Sequence, residues 1–139
     1  MTIDDIERSL PNGFHDSIIT GLHVNYAERT AEIEIDNLVS VLETPDEEYR
    51  SIKLRISGLL YLVIEPPESL YDAERELSLA DGGSSEVKSS APLPKPLPDG
   101  AFTYWFFVSD WNSFIHIAAL RAELVVPPRD VKHVSGQIM

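Results

Sequence analysis

Cysteine is absent from the 139 residues, which excludes both a disulfide framework and a thiolate metal site. Basic residues are scarce, with eleven Lys and Arg against 23 Asp and Glu, for a formal charge of −12. A field of that sign repels nucleic acid and anionic membrane surfaces and attracts cationic partners. No apolar run reaches the roughly 18 residues that a membrane helix needs. The opening "MTIDDIERSL" has neither the basic nor the apolar region of a signal peptide. The expected compartment is therefore the cytoplasm, with neither nucleic acid nor membrane as partner. Catalytic signatures are missing as well. There is no GxSxG elbow, no glycine-rich phosphate loop and no HExxH pair, and nothing in the residue pattern calls for a cofactor or a bound metal.

What remains suits one domain over residues 1–139, since a chain of this length can bury one core but not two. Residues 2–10 suit a short helix, with Thr2 as N-cap and Asp4 and Asp5 in the first turn, where the helix dipole favours acid. Pro11-Asn12-Gly13 supplies turn chemistry. Ile18, Thr20, Leu22, Val24 and Tyr26 then recur at spacing two, as do Ala31, Ile33 and Ile35, which predicts an antiparallel hairpin with a dry face and a wet one. "SIKLRIS" continues the alternation, and Gly58 ahead of "LLYLVIEPP" suggests a bulge or bend in one long strand. In "ESLYDAERELSLA" Leu70, Ala73 and Leu77 fall near helical spacing, which suits a turn or two of helix. Residues 81–100, rich in Gly, Ser and Pro, read as a mobile loop. "AFTYWFFVSD" and "SFIHIAALRAELVVPP" are strands joined through Ser109–Asn112. The expected fold is mainly β, an antiparallel sheet of about six strands forming a small sandwich or half-barrel with one short N-terminal helix. An edge strand of such a sheet can pair two copies into a homodimer.

Three groups of residues can carry chemistry. His15 and Asp16 stand side by side at the mouth of the first strand; successive strand residues point to opposite faces, so they meet only if a turn folds them together. His23 and His116 would face each other if the first and last strands paired, and with Asp16 or Asp110 they would then offer a divalent metal three ligands. Trp105, Phe107 and Trp111 form an aromatic group around the penultimate strand that is either covered or a binding surface.

The stretch "GFHDSIITGLHVNYAERTAEIEID", Gly13 to Asp36, resembles the N-terminal hairpin of a group of small bacterial proteins, several of them grouped as immunity proteins of polymorphic toxin systems and others uncharacterised. In those proteins a His-Asp pair opens a strand and a hairpin follows. The resemblance implies a small non-enzymatic binder and brings no catalytic residues. Acid is concentrated where such a binder would use it. Glu28 to Glu48 holds eight acidic residues and one basic, and an acidic inhibitor can mimic the phosphate backbone that a basic nuclease binds. The expected contacts are Glu28, Glu32, Glu34 and Asp36 on the wet face of the hairpin, with Asp46, Glu47 and Glu48 on the following loop. The leading expectation is thus a protein-binding domain with a basic protein partner. A small-molecule binder using Trp105, Phe107 and Trp111 is the alternative, and a metal-dependent enzyme at His15, Asp16, His23 and His116 ranks third.

Overall fold

The computed structural model describes residues 1–40, 48–67, 77–84, 89 and 91–127. Asp46 and Glu47 lie outside the described residues, as do 68–76 of the stretch 68–80 where a turn or two of helix is expected; the rest of that stretch, 77–80, is strand, because Leu77, Ser78 and Leu79 pair with Ile19, Ile18 and Ser17. Helix α1 (Ile3–Ser9) starts at Thr2, whose hydroxyl accepts the Asp5 N–H while the Asp5 carboxylate accepts the Thr2 N–H, a reciprocal capping box. Arg8 sits in the last turn and bonds back to Asp4 at 3.2 Å and Asp5 at 2.9 Å. The helix turns Ile3 and Ile6 into the core.

Six strands follow: β1 (Ser17–Asn25), β2 (Thr30–Leu38), β3 (Tyr49–Ile64), β4 (Leu77–Gly83), β5 (Phe102–Val108) and β6 (Ser113–Val125). All pair antiparallel, in the order β1-β2-β3-β6-β5-β4, and the sheet closes when Ser17, Ile18 and Ile19 of β1 meet Leu79, Ser78 and Leu77 of β4. The expected sandwich or half-barrel is therefore a closed barrel. Closure depends on β4, which sequence patterning does not mark. Its residues Asp81, Gly82 and Gly83 pair with Phe107, Phe106 and Trp105, so the expected loop over 81–100 begins three residues inside a strand. The Cβ that Gly82 lacks would fall 2.6 Å from the Tyr104 hydroxyl, so what looks like loop composition is a close approach of backbone to aromatic ring.

The alternation expected for β1 also changes. Ile19 pairs with Ile35 but Gly21 pairs with Glu34, leaving Thr20 as an extra residue at a bulge. The bulge shifts the inward face by one residue. Ile19 packs on the core before it, and Leu22 and Val24 after it, while Thr20 is exposed. β2 and the first half of β3 keep the alternation, burying Ala31, Ile33 and Ile35 and then Ile52, Leu54 and Ile56. β5 buries Tyr104, Phe106 and Val108. Phe14, in the turn before β1, packs edge-on against Phe106 with ring centroids 5.2 Å apart. The inward side chains of the described residues are thus mostly apolar, and the wall over β2 and β3 is apolar inside and charged outside. Burial and the nearby acids Glu7, Asp4 and Asp81 push the Tyr104 phenol well above its ordinary pKa.

Candidate functional site

The charged side chains of the described strands lie on the outer faces. The outward residues of β1, β2, β3 and β6 form rows across the sheet, because residues opposite each other on an antiparallel ladder share a face. One row runs His23, Glu32, Arg55, Glu123 in register. Arg55 donates to Glu32 at 3.0 Å and reaches Glu123 at 3.4 Å, while Lys53 comes within 3.8 Å of Glu32 from the next row. Glu34 lies back over β1 to His23 at 3.1 Å. It has room because Gly21 stands opposite: a Cβ there would be 2.5 Å from the Glu34 carboxylate. Asp36 accepts from the Ser51 hydroxyl at 3.1 Å.

The wet face of the hairpin is therefore a lattice of alternating charge rather than a bare acidic sheet. Sequence reading names its acids but not their partners Lys53 and Arg55. The pattern that pairs them is present in the sequence, since E-x-E on β2 stands opposite K-x-R on β3. Both Glu32 oxygens are engaged, one by Arg55 and one by Lys53. Glu34 has one oxygen on His23. Glu28 is exposed in the turn, where its N–H donates to the Asn25 side chain. These residues surround a depression of about 530 Å³ lined by His23, Val24, Asn25, Glu28, Thr30, Glu32, Glu34, Lys53 and Arg55. Glu48 is exposed, its N–H donating to the Ser40 hydroxyl at 3.1 Å and its carbonyl accepting from Val39.

The Arg55 guanidinium, with help from Lys53 and His23, holds the Glu32 carboxyl below its ordinary value. A depressed folded-state pKa stabilises above the unfolded value and loses that contribution as pH falls through the folded value. Replacing Arg55 with glutamine is therefore expected to move Glu32 up toward 4.5, read by NMR titration of its carboxyl carbon, and to flatten the acid limb of the stability curve. A Glu32 titration unchanged by this substitution would refute the assignment of its shift to Arg55.

The His15–Asp16 pair does form. Asp16 takes a left-handed φ of 61°, which brings its carboxylate to 3.6 Å from the His15 ring. Both side chains are more than half exposed, and the Asp16 N–H donates to the Leu79 carbonyl at 2.9 Å, tying the turn to β4 where the barrel closes. The pair sits at the seam of the barrel.

His23 and His116 are not brought together, because β1 lies between β2 and β4 and does not pair with β6. His23 faces Glu34, whereas His116, nearly buried, bonds Glu65 at 3.1 Å. The metal constellation built from His15, Asp16, His23 and His116 is thereby dismantled. Among the described residues no three His, Cys, Asp or Glu side chains are placed to hold a metal ion. The aromatic group divides too. Trp105 and Phe107 share the outer face with Phe114, at ring centroid distances of 5.5 and 5.1 Å from it, while Trp111 sits in the β5–β6 turn and packs on the core cluster. Sequence reading passes over Phe114 and Glu65. Glu65 also accepts the Phe114 N–H at 3.0 Å and so fixes the end of β3 to β6.

No protein-family model and no curated protein matches this sequence. Among solved structures, an uncharacterized protein from Neisseria gonorrhoeae is similar in fold, with a TM-score of 0.51 and 12% identity. The similarity covers 83% of this chain and 93% of that one. No helix among the described residues is long and apolar enough to cross a membrane.

Proposed function

We propose that this protein is a cytoplasmic, non-enzymatic binding domain whose partner is a basic protein docked on the outer face of β1, β2 and β3, in the manner of an immunity protein. The observation that carries this reading is the depression beside the hairpin, where Glu28 and Glu34 retain carboxylate oxygens that the ion-pair lattice does not use. The long-range field of a chain with charge −12 steers cationic proteins toward it and accelerates association. Internal pairing of Glu32 with Arg55 and Lys53 gives the face a fixed pattern of sign, so a partner must match a pattern and not merely a charge. The side chains that line the interior are mostly apolar, and Trp111 packs on the core cluster while Trp105 and Phe107 face outward beside Phe114, which favours the charged face over the aromatic alternative.

The test is affinity capture from the source cells, comparing the wild-type chain with the double variant Glu28→Lys/Glu34→Gln, with glutamine at 34 because Lys53 stands opposite. Glu32 is left in place because a lysine there would stand against Arg55 and Lys53 and report on folding. The wild type is expected to retain a basic protein at low salt and release it at high salt. The double variant should lose at least about tenfold in affinity for that protein, equivalent to 1.4 kcal/mol. Equal retention by both chains would overturn the proposed surface.

A further inference from the structure

Gly21 stands in the middle of β1, where glycine weakens a strand and often marks a close approach. The space it leaves is used by Glu34, its partner on β2, whose carboxylate folds back over β1 to the His23 ring at 3.1 Å. The oxygen that meets the ring, Glu34 Oε1, is the atom that a Cβ at position 21 would strike at 2.5 Å. Lys53 stands opposite Glu34 on β3 but reaches diagonally to Glu32 at 3.8 Å. Among the described residues, no side chain other than His23 bonds the Glu34 carboxylate. Both side chains of the pair are open to solvent, and both line the depression of the proposed docking face.

We infer that His23 gates this face by proton binding: protonated, it occupies Glu34, and neutral, it yields Glu34 to a cation of the partner. The inference rests on the reading above, in which a cationic partner uses Glu28 and Glu34. Histidine is the side chain whose ordinary charge change falls between pH 5 and 8, a range over which carboxylates, lysine and arginine ordinarily keep their charge. An imidazolium offers a carboxylate a full positive charge and a charge-assisted hydrogen bond, whereas the neutral ring offers an uncharged one. On β2 the His23 ring faces Glu34 and Glu32, with Lys53 and Arg55 beyond them on β3, and Glu28 lines the same depression from the β1–β2 turn. β4 pairs with β1 at Ser17, Ile18 and Ile19, away from His23. The Glu32 carboxyl, held low chiefly by Arg55, feels the charge of His23 as well. Coupling of this kind is reciprocal, so a cation seated at Glu34 weakens proton binding at His23 by the same factor.

The experiment follows the Glu34 carboxyl carbon of the full chain by NMR through the histidine range, then titrates an oligoarginine peptide at low salt at both ends of that range. Probe binding is read from the shift it causes at Glu34. In the wild type the Glu34 resonance is expected to step as the ring titrates, and the probe to bind about threefold more weakly at the acid end, the scale of one unit charge added near a solvated surface. His23→Gln should remove the step and most of the fall. Gly21→Ala should do the same with both titrating groups in place, because its Cβ displaces the Glu34 carboxylate from the ring. His15→Gln, which removes an exposed histidine at the seam, should preserve both. If Gly21→Ala alters the far-UV circular dichroism spectrum, His23→Gln alone decides the matter. A Glu34 resonance without a step, or the same fall in affinity in the wild type and His23→Gln, overturns the inference. Failure to capture a basic protein at the alkaline end counts against the docking reading and leaves the gate to be decided by these titrations. A captured protein held equally tightly at both ends overturns the gate and leaves the docking reading standing.

Discussion

Phe14→Ala is expected to cost about 3–5 kcal/mol, the usual range for deleting a buried phenylalanine ring. Against a typical total stability of about 5–15 kcal/mol, that is a large share from one side chain. Phe14 is 1% exposed and sits in the turn between α1 and β1. Its ring lies at 74° to both Phe106 and Tyr104, with centroids 5.2 and 6.2 Å away. Edge-to-face contacts of this kind add about 0.5–1.5 kcal/mol beyond the area they bury. Urea unfolding measures the loss as a lower midpoint at constant slope. Phe14→Leu, which keeps most of the volume, should recover part of it. A loss below about 1 kcal/mol for the alanine variant would mean that the turn does not anchor the aromatic core, since a truncation this small in effect belongs to surface positions.

The second large effect is expected at Gly58. Its φ is +62°, and a Cβ built there would stand 2.8 Å from the Cβ of Leu120, an atom close to the backbone that cannot swing aside. Gly58→Ala therefore combines a left-handed alanine, roughly 1–3 kcal/mol of strain, with overpacking of roughly 1–3 kcal/mol. Gly100 separates the two contributions. It also has a positive φ, +84°, but nothing lies within 4 Å of its missing Cβ. Gly100→Ala should show the conformational cost alone and be clearly milder than Gly58→Ala in thermal or urea unfolding. Equal losses at the two positions would remove Leu120 from the explanation. The bend that Gly58 permits matters to the fold because β3 pairs with both β2 and β6, and its register against β6 shifts between Leu59 and Tyr61.

Alternation made most of this wall legible in advance. β2, the first half of β3, and β5 keep a strict period of two, so their buried residues can be read directly, as can the bend at Gly58 and the Thr2 cap. Legibility ends where one residue breaks the period. The bulge at Thr20 moves Ile19 to the core face and Thr20 away from it, and a pattern that continues through the bulge assigns both wrongly. β4 is obscured for a different reason: its Asp81-Gly82-Gly83 has the composition of a loop because Tyr104 and Trp105 occupy the space that side chains there would need. Closure of the barrel depends on that strand, so it could not be foreseen. The candidate site was visible in half. The carboxylates of the hairpin are plain in the sequence, whereas their pairing with Lys53 and Arg55 depends on the β2–β3 register, which only the fold supplies. His15–Asp16 met the stated condition for contact through the left-handed backbone of Asp16, yet its place is on the closing seam.

The charge lattice has one consequence for how binding should be measured. Surface ion pairs are individually worth little and are screened by salt, so salt sensitivity alone does not locate a contact. The most direct measurement is carboxylate footprinting: carbodiimide labelling of the chain, free and bound to the captured basic protein, read by mass spectrometry. Glu28 and Glu34 are predicted to lose most of their labelling in the complex, while Asp99, exposed in the segment before β5, labels equally in both states. Unchanged labelling at Glu28 and Glu34 in a formed complex would contradict the assignment of the binding face to β1, β2 and β3.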